Sequence, residues 1–322
     1  MTRQNRTLLI SVGIAAALAS LCFIVLPLPV SNTGQIHVFM LDIGQGDSFL
    51  IEAADGKKLL IDGGRDTTVL SELSKVLAPG DNTIDVMIAT HPDADHIGGL
   101  QYVLERYHVG LFLTSEVLTD TKTFTALYKE LLKEHVTSYY ARRGMVITLD
   151  AIHKTTFTVL FPDRDTTNWI TNPASVVGRL DVYPANPSST KIPGVAGTKN
   201  SLYVKNKVSG VGGMQPRSVL FTGDSTSSVE HFLVQTEAQD LKSDVLKLGH
   251  HGSKYSSSTE YLQAVHPVLG LISAGINNRY GHPNVETLAR LKTLSIPWIS
   301  TQQKGTVELT TDGTHQWTWK SI

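Results

Sequence analysis

Apolar residues recur along this chain in short runs of strand length, and between these runs they recur at helical spacing. In the first half, the pattern predicts strands at residues 36–41, 48–53, 58–61, 86–89, 111–113, 146–149 and 156–161 and helices at 68–77 and 124–133. In the second half, it predicts strands at 202–205, 219–222, 245–248, 268–272, 298–300, 306–310 and 316–320 and helices at 229–237, 259–264 and 285–294. Two similar halves of mixed elements indicate an α+β sandwich, with two sheets face to face and helices outside.

One segment breaks this pattern. Between residues 163 and 199 the periodicity is lost, and Pro, Ser, Thr and Asn accumulate, as at Pro173 and Pro193. We therefore predict a long loop there. Such a loop could be a lid or a wall of the substrate site, or it could be a tolerated insertion without a role in function.

The first thirty residues are organised differently. Arg3 and Arg6 precede an apolar run at residues 8–30, which is long enough to cross a bilayer. Positive charge before the run and none directly after it predicts a single transmembrane helix, with the rest of the chain outside the cytoplasmic membrane. The alternative is a cleaved signal peptide, because Ala17 and Ala19 offer a small-x-small site; the protein would then be secreted or periplasmic.

Composition limits the remaining possibilities. The 322 residues, 41% of them hydrophobic, suffice for one substantial core, and we predict a membrane segment at residues 1–31 followed by one domain at 32–322. The only cysteine, Cys22, lies within the apolar run, so the domain has no disulfide and no thiol nucleophile. The net charge of −1 gives no general attraction to nucleic acid.

The most concentrated chemistry lies between the apolar strand at residues 86–89 and a helical pattern that begins at Leu100. Four side chains suited to metal binding fall within six residues there: His91, Asp93, Asp95 and His96. On a turn between a buried strand and an amphipathic helix they can converge on ions, and their nitrogen and oxygen atoms suit zinc or manganese. The alternative is a polar turn in which Asp95 caps the helix and the histidines bond to the backbone.

This run resembles the signature H-x-H-x-D-H of the metallo-β-lactamase fold, with Asp93 in place of the second histidine. The variant H-x-D-x-D-H resembles the extracytoplasmic hydrolase domain of the ComEC family of competence proteins. Further motifs of that family follow in the same order: FMLDIGQGDS from Phe39, LLIDGG from Leu59, LFTGD from Leu220, LGHHGS from Leu248 and YGHP from Tyr280. The resemblance implies a four-layer αββα sandwich and a metal-dependent hydrolase.

The resemblance also implies a site for two divalent cations, zinc or manganese. The ligands that it implies are His91, Asp93, Asp95, His96, Asp224 and His282. The first two would hold one cation, Asp95, His96 and His282 would hold the other, and Asp224 would bridge both. Where the family usually has a further histidine, this chain has Asn200 and Ser201. Because of that replacement, the first cation would have one ligand fewer and its remaining ligands would be richer in oxygen. Manganese would then suit the site as well as zinc.

Other positions would support the ligands or act in the reaction. Asp62 and Asp47 would orient ligands through hydrogen bonds without binding metal. Adjacent residues at a strand end point in opposite directions, so we expect only one of His250 and His251 to face the metals. The resemblance implies that it is His251, as a proton donor or a phosphate clamp, with His250 bonded to the backbone. The catalytic residues that the resemblance implies are Asp95, Asp224 and His251.

Metal-assisted hydrolysis leaves three functions open. The first is a phosphodiesterase, a nuclease acting on DNA outside the cytoplasmic membrane. The second is a hydrolase of a small ester, lactone or amide, because the fold does not fix the substrate. The third is a membrane-tethered binding module with a degenerate metal site. No glycine-rich phosphate loop indicates a nucleotide cofactor.

A basic stretch at residues 191–217 bears on the first of these functions. It contains no Asp or Glu, and its charged residues are Lys191, Lys199, Lys205, Lys207 and Arg217. Such a stretch could hold a phosphodiester backbone. The alternative is a solvated loop and strand face.

The predicted anchor can be tested in cells. A reporter fused after Asn32 should be active only if it works outside the cytoplasm, and the protein should sediment with membranes, because Arg3 and Arg6 hold the N-terminus inside. Activity of a cytoplasmic reporter would contradict the predicted orientation. A mature N-terminus at Ser20, found by N-terminal sequencing, would show a cleaved signal peptide in place of an anchor.

Overall fold

The computed structural model describes residues 34–151, 154–185 and 215–322. The predicted membrane segment, the predicted strand at 202–205, Asn200 and Ser201 lie outside these residues, as do the four lysines of the basic stretch. Within the described ranges, no helix is long and apolar enough to cross a membrane.

Within the described residues, eight strands form the first sheet. They are β1 (Ile36–Met40), β2 (Phe49–Glu52), β3 (Lys58–Ile61), β4 (Thr83–Ala89), β5 (His108–Thr114), β6 (Thr137–Tyr140), β14 (Val307–Thr311) and β15 (Thr318–Ser321). Their order across the sheet is β15-β14-β1-β2-β3-β4-β5-β6. From β3 to β6 neighbouring strands run parallel, so their carboxyl ends lie at one edge of the sheet.

In the part of the chain that the structure describes, seven strands form the second sheet. They are β7 (Val146–Asp150), β8 (Thr155–Phe161), β9 (Val177–Val182), β10 (Arg217–Phe221), β11 (Val245–Lys247), β12 (Leu269–Ile272) and β13 (Trp298–Ser300). Their order is β13-β12-β11-β10-β9-β8-β7. From β10 to β13 the strands are parallel, which again gathers the carboxyl ends at one edge.

Helices follow the strands in both halves. They are α1 (Thr68–Val76), α2 (Ala94–Ile97), α3 (Leu100–Arg106), α4 (Lys122–Lys133), α5 (Ser227–Leu241), α6 (Thr259–Val265), α7 (Val285–Thr293) and α8 (Thr301–Lys304). Apolar residues at helical spacing explain them: α3 buries Leu100, Val103 and Leu104 on one face. Two short 3-10 turns, Asn172–Ala174 and Gly249–Gly252, lie among the loops.

Three apolar clusters divide the domain into four layers. The cluster between the sheets contains Phe49 of β2 and Phe221 of β10, whose ring centroids lie 5.3 Å apart. The next residue of β2, Leu50, belongs to a second cluster that joins the outer face of the first sheet to α1, α3 and α4. A third cluster joins the second sheet to α5, α6 and α7. The predicted α+β sandwich with αββα layers is confirmed.

The prediction of an unbroken loop at 163–199 is wrong for Val177–Val182. These residues form β9, which lies between β8 and β10 in the second sheet. Its alternation of apolar residues with Arg179 and Asp181 is typical of a strand, but these six residues lie between segments rich in Pro, Ser and Asn, which led to the loop prediction. Arg179 and Asp181 pair with each other at 2.7 Å. The short edge strand β6 was also missed, because all four of its residues are exposed.

The packing between the sheets predicts the effect of Phe221→Ala. Phe221 is 2% exposed, and the ring of Phe157 lies 6.2 Å from its ring. Truncation should lower the free energy of unfolding by about 3–5 kcal/mol, measured by urea denaturation, because it leaves a cavity between the sheets. Leu132→Ala on α4, at a side chain that is 76% exposed, should change it by no more than about 0.5 kcal/mol. Equal effects of the two substitutions would contradict this account of the core.

Candidate metal centre

The candidate site lies where the carboxyl ends of parallel strands meet. Asp62 follows β3 and His91 follows β4 in the first sheet, while Asp224 follows β10 and the turn Gly249–Gly252 follows β11 in the second. Because the two sheets pack face to face, these four segments approach one another across the sandwich.

Asp62 holds the first of these segments in place. Its carboxylate accepts hydrogen bonds from the backbone N–H of Thr90 at 2.8 Å, from the Thr90 hydroxyl at 2.7 Å and from Nδ1 of His96 at 2.8 Å. With Nδ1 donating to Asp62, Nε2 is the ring nitrogen of His96 that faces the site. Asp62 thus fixes the ring of His96 against the backbone that precedes His91.

Three fully buried imidazoles share this arrangement: His91, His96 and His251. Nδ1 of His91 lies 3.1 Å from the Thr90 hydroxyl, and Nδ1 of His251 donates to the backbone carbonyl of Ser273 at 3.0 Å. In all three rings the buried Nε2 has no hydrogen-bond partner. Buried polar atoms without partners are rare in proteins, and here each one is a nitrogen that can bind a metal.

The unpartnered nitrogens converge on Asp224. Its Oδ1 lies 3.4 Å from Nε2 of His96, and its Oδ2 lies 3.3 Å from Nε2 of His251. Nε2 of His251 also lies 3.8 Å from Oδ2 of Asp95. Potential ligand atoms of His91, His96 and Asp224 lie within 4.8 Å of one another, and so do those of Asp95, His96 and His251. This donor set fits a divalent cation such as zinc or manganese.

The charges in this cluster are strongly coupled. Burial disfavours a charged His96, but the carboxylates of Asp224 and Asp62 outweigh it and raise the pKa of His96 well above its usual range. At His251 the carboxylates of Asp224 and Asp47 likewise outweigh the effect of burial, and they raise the pKa of His251 to about 9. The two imidazoles in turn hold the pKa of Asp224 well below its usual range, against the effect of burial. Protons and a cation therefore compete for the same nitrogens, and metal binding would release those protons.

Asp47 lies beneath the site on a tight turn. Gly46 permits this turn: its φ is +127°, and a Cβ there would meet the backbone oxygen of Asp95 at 1.9 Å. Oδ1 of Asp47 lies 3.3 Å from Nδ1 of His251, and its backbone N–H donates to the oxygen of Asp95 at 3.3 Å. Asp47 thus contacts the segments that carry two candidate ligands.

Lys247 is a buried cation that the sequence analysis missed. It ends β11, is 1% exposed, and forms an ion pair with Asp47. Its ammonium also donates to the backbone oxygen of Gly223 at 2.8 Å and lies 3.7 Å from Oδ1 of Asp224. The sequence did carry a signal for this ion pair, since Lys247 lies in an otherwise apolar strand just before the LGHHGS motif. A lysine in a buried strand needs a charged partner, because an unpaired lysine is almost never buried.

The remaining predicted ligands lie at the edge of the cluster. Asp93, with 39% of its side chain exposed, places Oδ2 3.6 Å from Nε2 of His91. His282 belongs to none of the described groups of ligand atoms within 4.8 Å. Its ring centroid lies 5.3 Å from that of His250 and 6.2 Å from that of His251. Burial, followed by the charges of His251 and His250, lowers the pKa of His282 to about 4.

The expectation that His250 turns away and bonds to the backbone is wrong. Nε2 of His250 lies 3.5 Å from Oδ2 of Asp224, and its Nδ1 lies 3.4 Å from the side-chain amide of Asn172. The strand has already ended at this point, and both His250 and His251 have positive φ, 49° and 56°, in the 3-10 turn. The alternation of a strand therefore does not apply, and both rings reach the site.

Ser175 is a second residue that the sequence did not single out. Its hydroxyl accepts from the backbone N–H of Asp224 at 3.1 Å and lies 3.3 Å from Nδ1 of His91. It thereby links the two sheets behind the ligands. Ser175 falls in the segment read as a loop, where one serine among many polar residues gave no signal.

Comparison with known proteins agrees with this geometry. A family model described as the metallo-beta-lactamase superfamily matches residues 41–275. The chain belongs to this superfamily. The matched range of the metallo-beta-lactamase domain includes every predicted ligand except His282.

Two curated relatives extend the match. The chain is 30% identical to ComE operon protein 3 of Bacillus subtilis, over 95% of this chain and 36% of that protein. It is 28% identical to Recombination protein 2 of Haemophilus influenzae, over 84% of this chain and 28% of that protein. The metallo-beta-lactamase chain thus spans about a third of the length of these relatives. The resemblance to competence-related proteins is confirmed.

Among solved structures, the metallo-beta-lactamase fold protein YhfI from Bacillus subtilis is similar at a TM-score of 0.48 and 15% identity. The match covers 83% of this chain and 96% of that one.

The position of Lys247 predicts a stability that depends on metal. In this metallo-beta-lactamase domain, Lys247→Met leaves Asp47 and Asp224 buried without their ammonium, so the free energy of unfolding in EDTA should fall by about 3–5 kcal/mol. Added manganese should reduce the loss, because a divalent cation neutralises the same carboxylates. Urea denaturation with and without manganese measures both effects. Lys129→Met, at an exposed lysine of α4, is the matched control, and an effect of Lys247→Met no larger than this control would contradict the assignment.

Proposed function

We propose that this chain is a metal-dependent phosphodiesterase of ComEC type, a nuclease that acts on DNA outside the cytoplasmic membrane. The observation that carries the proposal is the convergence of three buried, unpartnered imidazole nitrogens on Asp224. The superfamily supports a metal-dependent hydrolase. One relative is named a recombination protein, and recombination is a reaction of DNA. That name supports DNA as the substrate.

The balance of charge supports two cations. Five carboxylates lie in or directly beside the site: Asp47, Asp62, Asp93, Asp95 and Asp224. Lys247 supplies one positive charge, and two divalent cations would neutralise the other four carboxylates. Because oxygen ligands are so numerous here, manganese suits the site as well as zinc.

Each side chain would have a distinct task. When bound, the cations would activate a water molecule and polarise a phosphoryl oxygen. Asp224 offers one oxygen toward His96 and the other toward His251, as a bridging carboxylate must. His251 is fully buried and its Nδ1 is bonded to Ser273, so we assign it as a ligand in place of the proton donor or phosphate clamp expected from the sequence.

Two other histidines, His250 and His282, lie at the edge of the cluster. The side chain of His250 is 27% exposed, and Nδ1 of His282 has no hydrogen-bond partner. Burial is the largest cause of a lowered pKa at both rings, so both are largely neutral at neutral pH. A neutral imidazole can donate a hydrogen bond to a phosphate oxygen or to the leaving oxygen. We propose that these two residues contact the substrate.

The proposed location rests on residues 8–30, which would anchor the domain outside the membrane. The basic stretch gives weaker support for DNA. Arg217 begins β10 and Asp224 follows the end of that strand, so at roughly 3.3 Å per residue the two lie about 20 Å apart. The guanidinium of Arg217 also donates to the carbonyl of Thr314 at 3.2 Å. We therefore leave Arg217 out of the proposed contacts to the scissile phosphate.

The proposal is tested by Asp224→Ala in the purified full chain. With manganese or zinc supplied, the parent should cleave single-stranded DNA and bis-para-nitrophenyl phosphate. The variant should lose at least about a hundredfold in rate, because one carboxylate contacts both ligand groups. Metal analysis should show fewer bound ions in the variant. Asp120→Ala, at an exposed loop carboxylate, is the control and should match the parent.

Other outcomes would identify the alternatives. Cleavage of lactones or small esters without cleavage of either phosphodiester would replace the proposal with a small-molecule hydrolase. Metal binding without turnover of any substrate would indicate a binding module. An Asp224→Ala variant that keeps its metal and its rate would contradict the bridging role.

A further inference from the structure

Two exposed tyrosines, each beside a cation, lie on the loops next to the candidate metal centre. Tyr280 is 45% exposed, and the guanidinium carbon of Arg279 lies 4.8 Å from its ring centroid. Tyr255 is 66% exposed, and the ammonium of Lys254 lies 5.3 Å from its ring centroid. None of these four residues has been given a role in the reaction described above.

The two loops that carry these pairs are tied together by Asn284. Its side-chain oxygen accepts from the backbone N–H of Lys254 at 2.9 Å, and its amide donates to the carbonyl of Gly281 at 3.0 Å. Its own backbone N–H donates to the carbonyl of Gly252 at 3.0 Å. One residue therefore fixes the segment before Tyr255 against the segment after Tyr280.

The backbone beneath Tyr280 is held by Asn278. Its side-chain oxygen accepts from the backbone N–H groups of Tyr280 at 3.2 Å and His282 at 2.9 Å. Its amide donates to the carbonyls of Gly275 at 3.0 Å and His282 at 2.6 Å. The Tyr280 ring thus projects from a braced loop, and a ligand that stacks on it would have little backbone to order.

Tyr280 is also directly connected to the site. Its ring stacks on His282, with centroids 5.6 Å apart and an angle of 21° between the planes. The His282 ring lies 5.3 Å from that of His250, whose Nε2 lies 3.5 Å from Asp224. The exposed ring is therefore separated from the candidate bridging carboxylate by two imidazoles.

We propose that Tyr280 with Arg279, extended by Tyr255 with Lys254, forms a subsite that stacks the bases of single-stranded nucleic acid beside the scissile phosphodiester. This inference rests on the proposed phosphodiesterase function. Aromatic rings accept any base on their faces, and the adjacent cations complement the phosphates. In a duplex both faces of an internal base are already covered, so exposed rings select unpaired or terminal bases.

The binding test compares strands with and without bases. The probes are a labelled single-stranded oligothymidylate and a fully abasic strand of the same length, both with phosphorothioate linkages to slow cleavage. Fluorescence anisotropy of the purified full chain with manganese gives the Kd of each. The parent should bind the normal strand about tenfold more tightly than the abasic strand, because base stacking on an aromatic ring is lost in the latter.

Substitutions test whether Tyr280 causes the preference for the normal strand over the abasic strand. Tyr280→Ala should weaken binding of the normal strand by about tenfold and leave the abasic strand unchanged, whereas Tyr280→Phe should behave as the parent. Arg279→Ala should weaken the binding of both strands, because it removes a contact to phosphate. The control is Tyr139→Ala on the edge strand β6, where the tyrosine is 52% exposed, and it should change neither Kd. Thermal unfolding and metal content establish that each variant is folded.

The outcomes separate this inference from the proposed function. If the parent cleaves DNA but binds both strands equally, or if Tyr280→Ala binds as the parent does, the subsite is wrong and the nuclease proposal stands. If the parent neither binds nor cleaves either strand, both are wrong.

Discussion

The structure depends on keeping several carboxylates out of water at one end of two sheets. A buried charge without a partner is costly, so each must be bonded or neutralised. Asp62 accepts three hydrogen bonds, and Lys247 lies against both Asp47 and Asp224. One ammonium cannot balance the whole cluster. The imidazoles therefore either hold protons or share a cation, and their geometry leaves the cation-binding nitrogens free.

The fold supplies this geometry through its strand ends. Parallel strands in both sheets end at the same side of the sandwich, so short loops from two sheets carry the ligands with little freedom to move. Hydrogen bonds behind the rings complete the arrangement: Asp62 orients His96, and Ser273 orients His251. A site that is oriented before any ligand arrives needs little reorganisation during a reaction. The same rigidity extends outward to Tyr280 through Asn278 and His282.

The sequence predicted the layers and most strands, because residues such as Phe49 and Leu50 alternate between two apolar environments. It failed at β9, where a short strand with the half-buried pair Arg179 and Asp181 lies between segments rich in Pro, Ser and Asn. The motif around His91 located one half of the site. The roles of Lys247 and His250 could not be predicted, since they depend on contacts across the sandwich and on positive φ in a turn.

The central claim is that the free imidazole nitrogens and Asp224 form a metal site, and anomalous scattering tests it most directly. Crystals of the full chain grown with zinc should be measured at the zinc absorption edge. The account predicts anomalous density at about 2.0–2.2 Å from Nε2 of His96 and of His251 and from the Asp224 carboxylate. Density confined to His250 and His282, or none at Asp224 in zinc-saturated protein, would contradict it.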